Sequence, residues 1–230
     1  MLKKLVVVML LTLATLNSAR ADESKDAMEQ GNNFFATGQF EMALTQYRIA
    51  TSWPGKHLAR AHFNIGVCHH QLGRTREAIN EYGIAIEINH GKYVRASYAL
   101  GTALNELGEW QKARLAFTQA VEVSNSSDAE SLFQLALILS HEGDYEAAAK
   151  HLRQAIKHEK KHLPGGHNNL GVLLAIVGRY GEAQGEFKLA QEQSKGKMRQ
   201  ASHNLKLCQA LMNSTSSAVI ASLQTTNQMQ

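Results

Sequence analysis

Two histidines, His158 and His162, lie four residues apart, a spacing that places both imidazoles on one face of a helix. Paired imidazoles can bind zinc when further ligands complete a tetrahedral site. Lysines surround this pair, however, and only Glu159 offers another ligand nearby in the sequence. His69 and His70 are adjacent, so they do not face each other on a helix. We therefore predict no metal site.

Sequence motifs of catalysis are missing. The chain has no phosphate-binding loop, no Gly-x-Ser-x-Gly nucleophile elbow, no His-Glu-x-x-His and no dinucleotide-binding fingerprint after a strand. Gly165 and Gly166 resemble a phosphate-binding turn, but they follow Pro164, and proline favours the first position of a helix. We predict that the protein is not an enzyme and needs no cofactor.

The elements that position these side chains follow from a repeat of 35 residues. Glycines recur at this interval, at Gly38, Gly73, Gly108, Gly143 and Gly178. Alanines recur in the same register, at Ala43, Ala78, Ala113, Ala148 and Ala183. Repeats of about 20 to 50 residues are typical of solenoids, in which each repeat packs only against its neighbours.

Each repeat has the pattern of a helical hairpin. Apolar residues recur three and four positions apart on both sides of the glycine, which can adopt the left-handed conformation that ends a helix. The alanines allow the two helix axes to approach closely. We predict five repeats, at about residues 24–58, 59–93, 94–128, 129–163 and 164–197.

These positions resemble the tetratricopeptide repeat. A large apolar residue precedes a small one, as in Leu100-Gly101 and Leu170-Gly171. An aromatic residue or leucine recurs in the second helix, at Tyr47, Tyr82, Phe117, Leu152 and Phe187. The resemblance covers about residues 24–197. It implies an all-α fold, a right-handed α-solenoid of helix-turn-helix repeats with a C-terminal capping helix.

The chain departs from the family pattern at two recurring positions. The early tryptophan is replaced by Ala27, His62, Ser97, Leu132 and His167, and the closing proline by Gly55, His90, Asn125, Lys160 and Lys195. The period is also one residue longer than the usual 34. A period of 35 also suits the pentatricopeptide repeat, which binds single-stranded RNA.

The amino terminus resembles a secretory signal. Lys3 and Lys4 precede a largely apolar run at residues 5–16, and Ala19-Arg20-Ala21 supplies a small-x-small cleavage pattern. The run is too short to span a membrane, which takes about 20 apolar residues. We predict a cleaved signal at residues 1–21 and a periplasmic protein without a membrane span. An uncleaved anchor or a cytoplasmic chain is the alternative.

Net charge argues against a nucleic acid partner. Of 24 Lys and Arg residues, Lys3, Lys4 and Arg20 lie in the leader, which carries no acid, so 21 remain against 20 Asp and Glu. Binding to phosphates needs a surplus of positive charge. We therefore predict no nucleic acid partner.

Beyond the repeats, residues 198–212 continue the first-helix pattern and are predicted to cap the array, whereas residues 213–230 are predicted to be a disordered polar tail.

The two cysteines, Cys68 and Cys208, lie four repeats apart. A disulfide needs Cα atoms within about 7 Å, so a solenoid keeps the two apart. We predict two buried, unpaired thiols.

The resemblance also implies a binding surface, because the first helices of such repeats form a concave face that holds a peptide or protein. The residues predicted to contact the partner are Arg60, Phe63, Val67, His70, Arg95, Tyr98, Thr102, Asn105, Phe133, Leu137 and Asn168. Asn32 and Phe35 occupy matching positions in the first repeat.

Two alternatives stay open for these residues. Phe63, Tyr98 and Phe133 recur once per repeat, and together they either form an apolar surface for a ligand or pack between adjacent first helices. Arg60 and Arg95 either pair with acidic groups of the ligand or are simply solvated.

Charge is unevenly distributed along the chain. Residues 22–143 hold 10 basic and 14 acidic side chains, whereas residues 144–230 hold 11 and 6. The basic C-terminal half either makes peripheral contact with anionic lipids or an acidic partner, or carries lysines that are solvated near helix ends.

We therefore predict a non-enzymatic scaffold or adaptor that binds a peptide or partner protein, in assembly or secretion at the bacterial envelope. The alternative is a self-associating structural protein, a homo-oligomer formed end to end or by insertion of the tail into a neighbouring groove.

Overall fold

The described part of the chain is built from α-helices. The structure, a computed structural model, describes residues 20–159 and 163–213, and these residues contain eleven helices and no strand. The helices are α1 (residues 20–36), α2 (Phe40–Thr51), α3 (Leu58–Gln71), α4 (Thr75–Ile88), α5 (Val94–Glu106), α6 (Trp110–Val123), α7 (Ala129–His141), α8 (Tyr145–His158), α9 (Pro164–Ile176), α10 (Tyr180–Gln193) and α11 (Arg199–Asn213). The all-α prediction is confirmed. The predicted leader and tail fall almost wholly outside the described residues.

The helices form two compact units that divide within α6, after Ala113. Unit 1 contains α1 to α5 and the start of α6, and unit 2 contains the remainder of α6 and α7 to α11. In unit 1, α3 packs against both α2 and α4, and α4 packs against α5. In unit 2, α9 packs against α8 and α10, and α10 packs against α11. None of the described helices has the length and apolarity of a membrane span.

Pairing within the hairpins of unit 1 depends on small residues that face large rings. Ala43 and Ala78 have no exposed surface, because their methyl groups lie where α2 and α4 approach the preceding helices. A Cβ added to Gly66 would lie 2.6 Å from Cε1 of Tyr82. Real Cβ atoms do not approach other carbons this closely, so the ring of Tyr82 needs glycine opposite it.

Unit 2 repeats this arrangement with one informative change. A Cβ on Gly171 would lie 2.6 Å from Cε1 of Phe187. In the hairpin of α7 and α8 the corresponding residues are Ala136 and Leu152, and both are buried. Alanine therefore occurs in the first helix where the second helix carries leucine in place of an aromatic ring.

Two kinds of turn connect the helices. Within hairpins the recurring glycines are left-handed, with φ of 73° at Gly73 and 86° at Gly143. Between hairpins two consecutive residues are left-handed, and the first of them is not glycine: φ is 53° at His90, 53° at Asn125 and 52° at Lys195. These three lie in one register of the repeat. Only glycine adopts this region without a steric cost, so His90 and Lys195 hold the backbone under strain.

Relief of this strain gives a first prediction. The left-handed conformation costs a non-glycine residue about 1–2 kcal/mol, whereas glycine costs about 0.5–1 kcal/mol in unfolded-chain entropy. We expect the His90→Gly variant to unfold at a higher guanidinium concentration, with a gain of about 0.5–1 kcal/mol. Gly73→Ala, the reverse change at a left-handed residue, should lower the midpoint. A lower midpoint for His90→Gly would contradict the interpretation.

Candidate functional site

The described residues of unit 1 form a pocket of about 180 Å³ on its first helices. Three successive first helices, α1, α3 and α5, supply most of its lining, and α2 supplies one residue. The lining residues are Asn32, Phe35, Tyr47, Phe63, Asn64, Val67 and Arg95. Phe63, Val67 and Arg95 belong to the predicted partner-binding set, and the structure brings these three together around one cavity.

Two asparagine amides are fixed at the pocket. The hydroxyl of Tyr47 donates to Oδ1 of Asn32 at 2.9 Å, and Nδ2 of Asn64 donates to the same oxygen at 3.4 Å. Burial raises the pKa of Tyr47 to about 12, so its hydroxyl stays protonated and remains a donor at neutral pH. Because one oxygen takes both bonds, Nδ2 of Asn32 and Oδ1 of Asn64 keep capacity for a ligand.

An aromatic wall forms the apolar side of the pocket. Phe63 is only 8% exposed, and its ring centroid lies 5.8 Å from that of Tyr82 and 5.4 Å from that of Tyr93. The guanidinium carbon of Arg95 lies 5.3 Å from the centroid of Phe63, a cation–π contact. Phe63 is therefore mainly a packing residue whose remaining surface lines the cavity, and Arg95 holds its charge beside the ring.

Arg95 lines the pocket, and Arg60 lies one helical turn before its lining residues Phe63 and Asn64. Lys25, Arg60 and Arg95 are exposed, and they occupy one register of the repeat on α1, α3 and α5. Lys25 contacts Glu29 at 3.8 Å on its own helix. Among the described residues, neither Arg60 nor Arg95 has a carboxylate within ion-pair distance. These two guanidinium groups are available to an anionic ligand.

The other predicted residues of unit 1 lie farther along the first helices. Nε2 of His70 lies 2.7 Å from Oε2 of Glu106, so this side chain bridges α3 and α5. Tyr98 and Thr102 are half-buried, and the hydroxyl of Thr102 donates to the carbonyl oxygen of Tyr98 at 3.1 Å. Asn105 is also half-buried. None of these side chains lines the pocket.

Three predicted residues belong to unit 2. Phe133 has no exposed surface, and Leu137 is half-buried on the same helix. Asn168 also has no exposed surface, and its Oδ1 accepts a hydrogen bond of 2.9 Å from Nδ2 of Asn204, which is equally buried. All residues of α9 from Gly165 to Ala175 are buried. Whether these residues contact a partner stays a prediction.

Sequence reasoning missed two lining residues. It placed Tyr47 in the hairpin core and did not assign Asn64 to the groove. The sequence does contain a sign of Asn64, because asparagine recurs in the same register of the repeat at Asn64, Asn169 and Asn204. Tyr47 lines the pocket because its side chain extends past Gly31 until the hydroxyl meets Asn32. The spacing of residues in the sequence does not reveal this reach.

Neither cysteine of the chain is a reactive thiol. Cys68 and Cys208 are free and buried, as predicted. Burial raises the pKa of Cys68 to about 12 and also raises the pKa of Cys208. Both stay protonated at neutral pH, and a protonated thiol is a poor nucleophile. Among the described residues, no group of three or more His, Cys, Asp or Glu side chains is placed to hold a metal ion.

A family model described as "Tetratricopeptide repeat" matches the chain at residues 28–93, 71–130, 98–162 and 133–197. These overlapping matches cover most of the sequence. The chain belongs to the tetratricopeptide repeat family. No functionally curated protein matches it in sequence.

Solved tetratricopeptide repeat structures share the fold. A structure of MamA superposes with a TM-score of 0.65 at 20% identity, covering 76% of this chain and 94% of MamA. YrrB, whose structure is described as a tetratricopeptide repeat protein "with an unusual peptide-binding site", gives 0.64 at 23% identity, covering 78% and 90%. PilF of Pseudomonas aeruginosa gives 0.66 at 16% identity, covering 89% and 90%.

The departures from the tetratricopeptide repeat pattern have physical causes. Where the family has its early tryptophan, His62 donates from Nδ1 to Oε2 of Glu81 at 2.7 Å. His167 makes the same bond to Glu186 at 2.7 Å. Each pair ties the two helices of a hairpin together in place of the indole. At the closing position, left-handed residues such as His90 exclude proline, whose ring fixes φ near −65°.

Proposed function

We propose that this protein is a non-catalytic scaffold that binds an extended peptide segment of a partner protein in the pocket of unit 1. The main support for this proposal is that the hydrogen-bonded amides of Asn32 and Asn64 and the aromatic wall at Phe63 line the same cavity on the first helices. Specific ligand sites combine apolar lining with a few oriented polar groups in this way.

Each part of the pocket suits one part of a peptide. An extended backbone offers a carbonyl and an amide at regular intervals, and the free donors of Asn32 and the free acceptor of Asn64 complement them. A volume of about 180 Å³ beside Phe35, Phe63 and Val67 accommodates one aliphatic or small aromatic side chain. Tetratricopeptide repeat proteins offer a precedent, since the structure of YrrB is described as having a peptide-binding site.

The proposed setting is the bacterial envelope. It is supported by the leader pattern of residues 1–21, with two lysines before an apolar run and small residues before Asp22. Residues 1–19 lie outside the described part of the chain. A periplasmic scaffold in assembly or secretion is consistent with these features.

Selection of peptides tests the proposed function. Random peptides displayed on phage are selected on the full chain, and the affinities of the best binders are measured for the wild type and for Val67→Gln. Val67 lines the pocket and is half-buried. We expect the variant to bind about tenfold more weakly, because it places an amide in the apolar part of the cavity.

The matched control is Ile49→Gln, since Ile49 is 37% exposed on α2 and does not line the pocket. This control should bind as the wild type does. If no peptide is enriched, or if Val67→Gln binds every selected peptide with wild-type affinity, the proposed function is wrong.

A further inference from the structure

We infer that the partner segment is acidic: it places one apolar side chain in the pocket of unit 1 and carboxylates of neighbouring side chains against Arg60 and Arg95. This inference rests on the proposed function and specifies its ligand. It concerns acidic side chains within a peptide, not the carboxylate at the end of a chain.

The positions of the two arginines argue for a role outside folding. Arg60 and Arg95 lie in the first turns of α3 and α5, and neither helix has an acidic residue there. The amino end of a helix carries partial positive charge, so a cation there is unfavourable. The second helices of the same unit differ, because each has an acidic residue in its first turn: Glu41 in α2, and Glu77 next to Arg76 in α4.

Ion pairing within unit 1 shows the same contrast. Arg74, which precedes α4, binds Glu41 through its guanidinium group. Arg60 and Arg95 have no such carboxylate among the described residues, although both are exposed. They place positive charge at the pocket on two successive first helices, since Arg95 lines the pocket and Arg60 lies one turn before its lining residues Phe63 and Asn64. A surface of this kind attracts negatively charged partners and orients them.

Arg95 places its positive charge at the wall of the cavity. Its guanidinium group is held 5.3 Å from the centroid of Phe63, and both residues line the pocket. A carboxylate bound by Arg95 therefore lies next to the side chain that fills the cavity. Arginine can bind such a carboxylate through two parallel hydrogen bonds. The expected ligand has an apolar residue with Asp or Glu beside it in the sequence.

Three synthetic peptides of equal length test the inference against the full chain. Each has one central leucine, acetylated and amidated ends, and flanking residues that are all glutamate, all glutamine or all lysine. Fluorescence anisotropy at low salt is expected to give the tightest binding for the glutamate peptide, by about tenfold over the glutamine peptide. This advantage should shrink as salt is added, and the lysine peptide should bind most weakly.

Charge reversal identifies the site. The double variant Arg60→Glu, Arg95→Glu should lose about tenfold in affinity for the glutamate peptide and gain affinity for the lysine peptide. Because glutamate suits the amino end of a helix, both helices should stay folded, which circular dichroism checks. Arg76→Glu is the control, since Arg76 is exposed in the first turn of α4 and does not line the pocket. It should bind as the wild type does.

The outcomes separate this inference from the proposed function. If the glutamate and glutamine peptides bind equally and both lose affinity in Val67→Gln, the acidic ligand is wrong and the proposed function stands. If the glutamate peptide binds only when it is synthesised with its carboxyl end free instead of amidated, the site binds a chain terminus and the inference is overturned. If neither these peptides nor any selected peptide binds, both the inference and the proposed function are wrong.

Discussion

Replacement of Gly171 by alanine should lower the free energy of unfolding by about 1–3 kcal/mol. The added Cβ would lie 2.6 Å from Cε1, 2.7 Å from Cδ1 and 3.0 Å from Cζ of Phe187. Phe187 has no exposed surface, so its ring cannot swing into solvent to relieve the clash. The helices α9 and α10 must separate, or the ring must leave its preferred rotamer.

The chain itself supplies the compensating change. At the corresponding positions of the preceding hairpin, Ala136 faces Leu152. We therefore expect Phe187→Leu to destabilise the wild type but to recover part of the stability lost in Gly171→Ala. Guanidinium unfolding of the two single variants and the double variant measures this coupling.

Gly185 on α10 provides the control, because a Cβ there meets no atom within 4 Å. Gly185→Ala should raise stability by about 0.5–1 kcal/mol, as expected for an exposed helical glycine. If Gly171→Ala is as stable as Gly185→Ala, close helix approach is not what fixes glycine at this position.

Truncation of Phe133 to alanine should destabilise the protein strongly. Its side chain has no exposed surface on α7, so Phe133→Ala should remove about 3–5 kcal/mol from the free energy of unfolding. Tyr98 is the matched comparison, because it occupies the same register on α5 and is only half-buried. Tyr98→Ala should cost clearly less.

Guanidinium unfolding of both variants decides between packing and an exposed surface for each residue. If Phe133→Ala and Tyr98→Ala lower the free energy of unfolding by the same small amount, Phe133 is not a core residue. The result also matters for binding experiments. If Phe133→Ala destabilises the fold, a loss of partner binding in this variant would not show that Phe133 contacts the partner. Variants at Val67, Arg60 and Arg95 avoid this ambiguity.

The repeat fold could be predicted because the same physical requirement recurs in every hairpin. A small residue in the first helix must admit the ring or leucine of the second, as Gly66 admits Tyr82, and a left-handed glycine must end the first helix. Such requirements are local and recur at a fixed interval, so a periodic sequence reveals them. The tetratricopeptide repeat match follows from these same positions.

The site was harder to predict because exposure depends on neighbouring residues that are not periodic. Phe63 and Phe133 share a register with Tyr98, yet only the tyrosine keeps substantial exposure. Phe63 is covered by Tyr93, which lies in the connection before α5. Tyr47 reaches Asn32, whereas the residue that corresponds to Asn32 in the next repeat is Val67. These differences make one pocket in unit 1 that the repeat pattern does not specify.

Backbone amide chemical shifts show which residues of the chain contact a bound peptide. A selected peptide is titrated into the isotope-labelled full chain, and the shifts of assigned amides are followed. If the peptide binds in the pocket, the largest changes will fall on α1, α3 and α5, at Asn64, Val67 and Arg95, and on the side-chain amide of Asn32. Changes confined to exposed residues of α2 and α4, such as Ile49, would show that the peptide binds elsewhere.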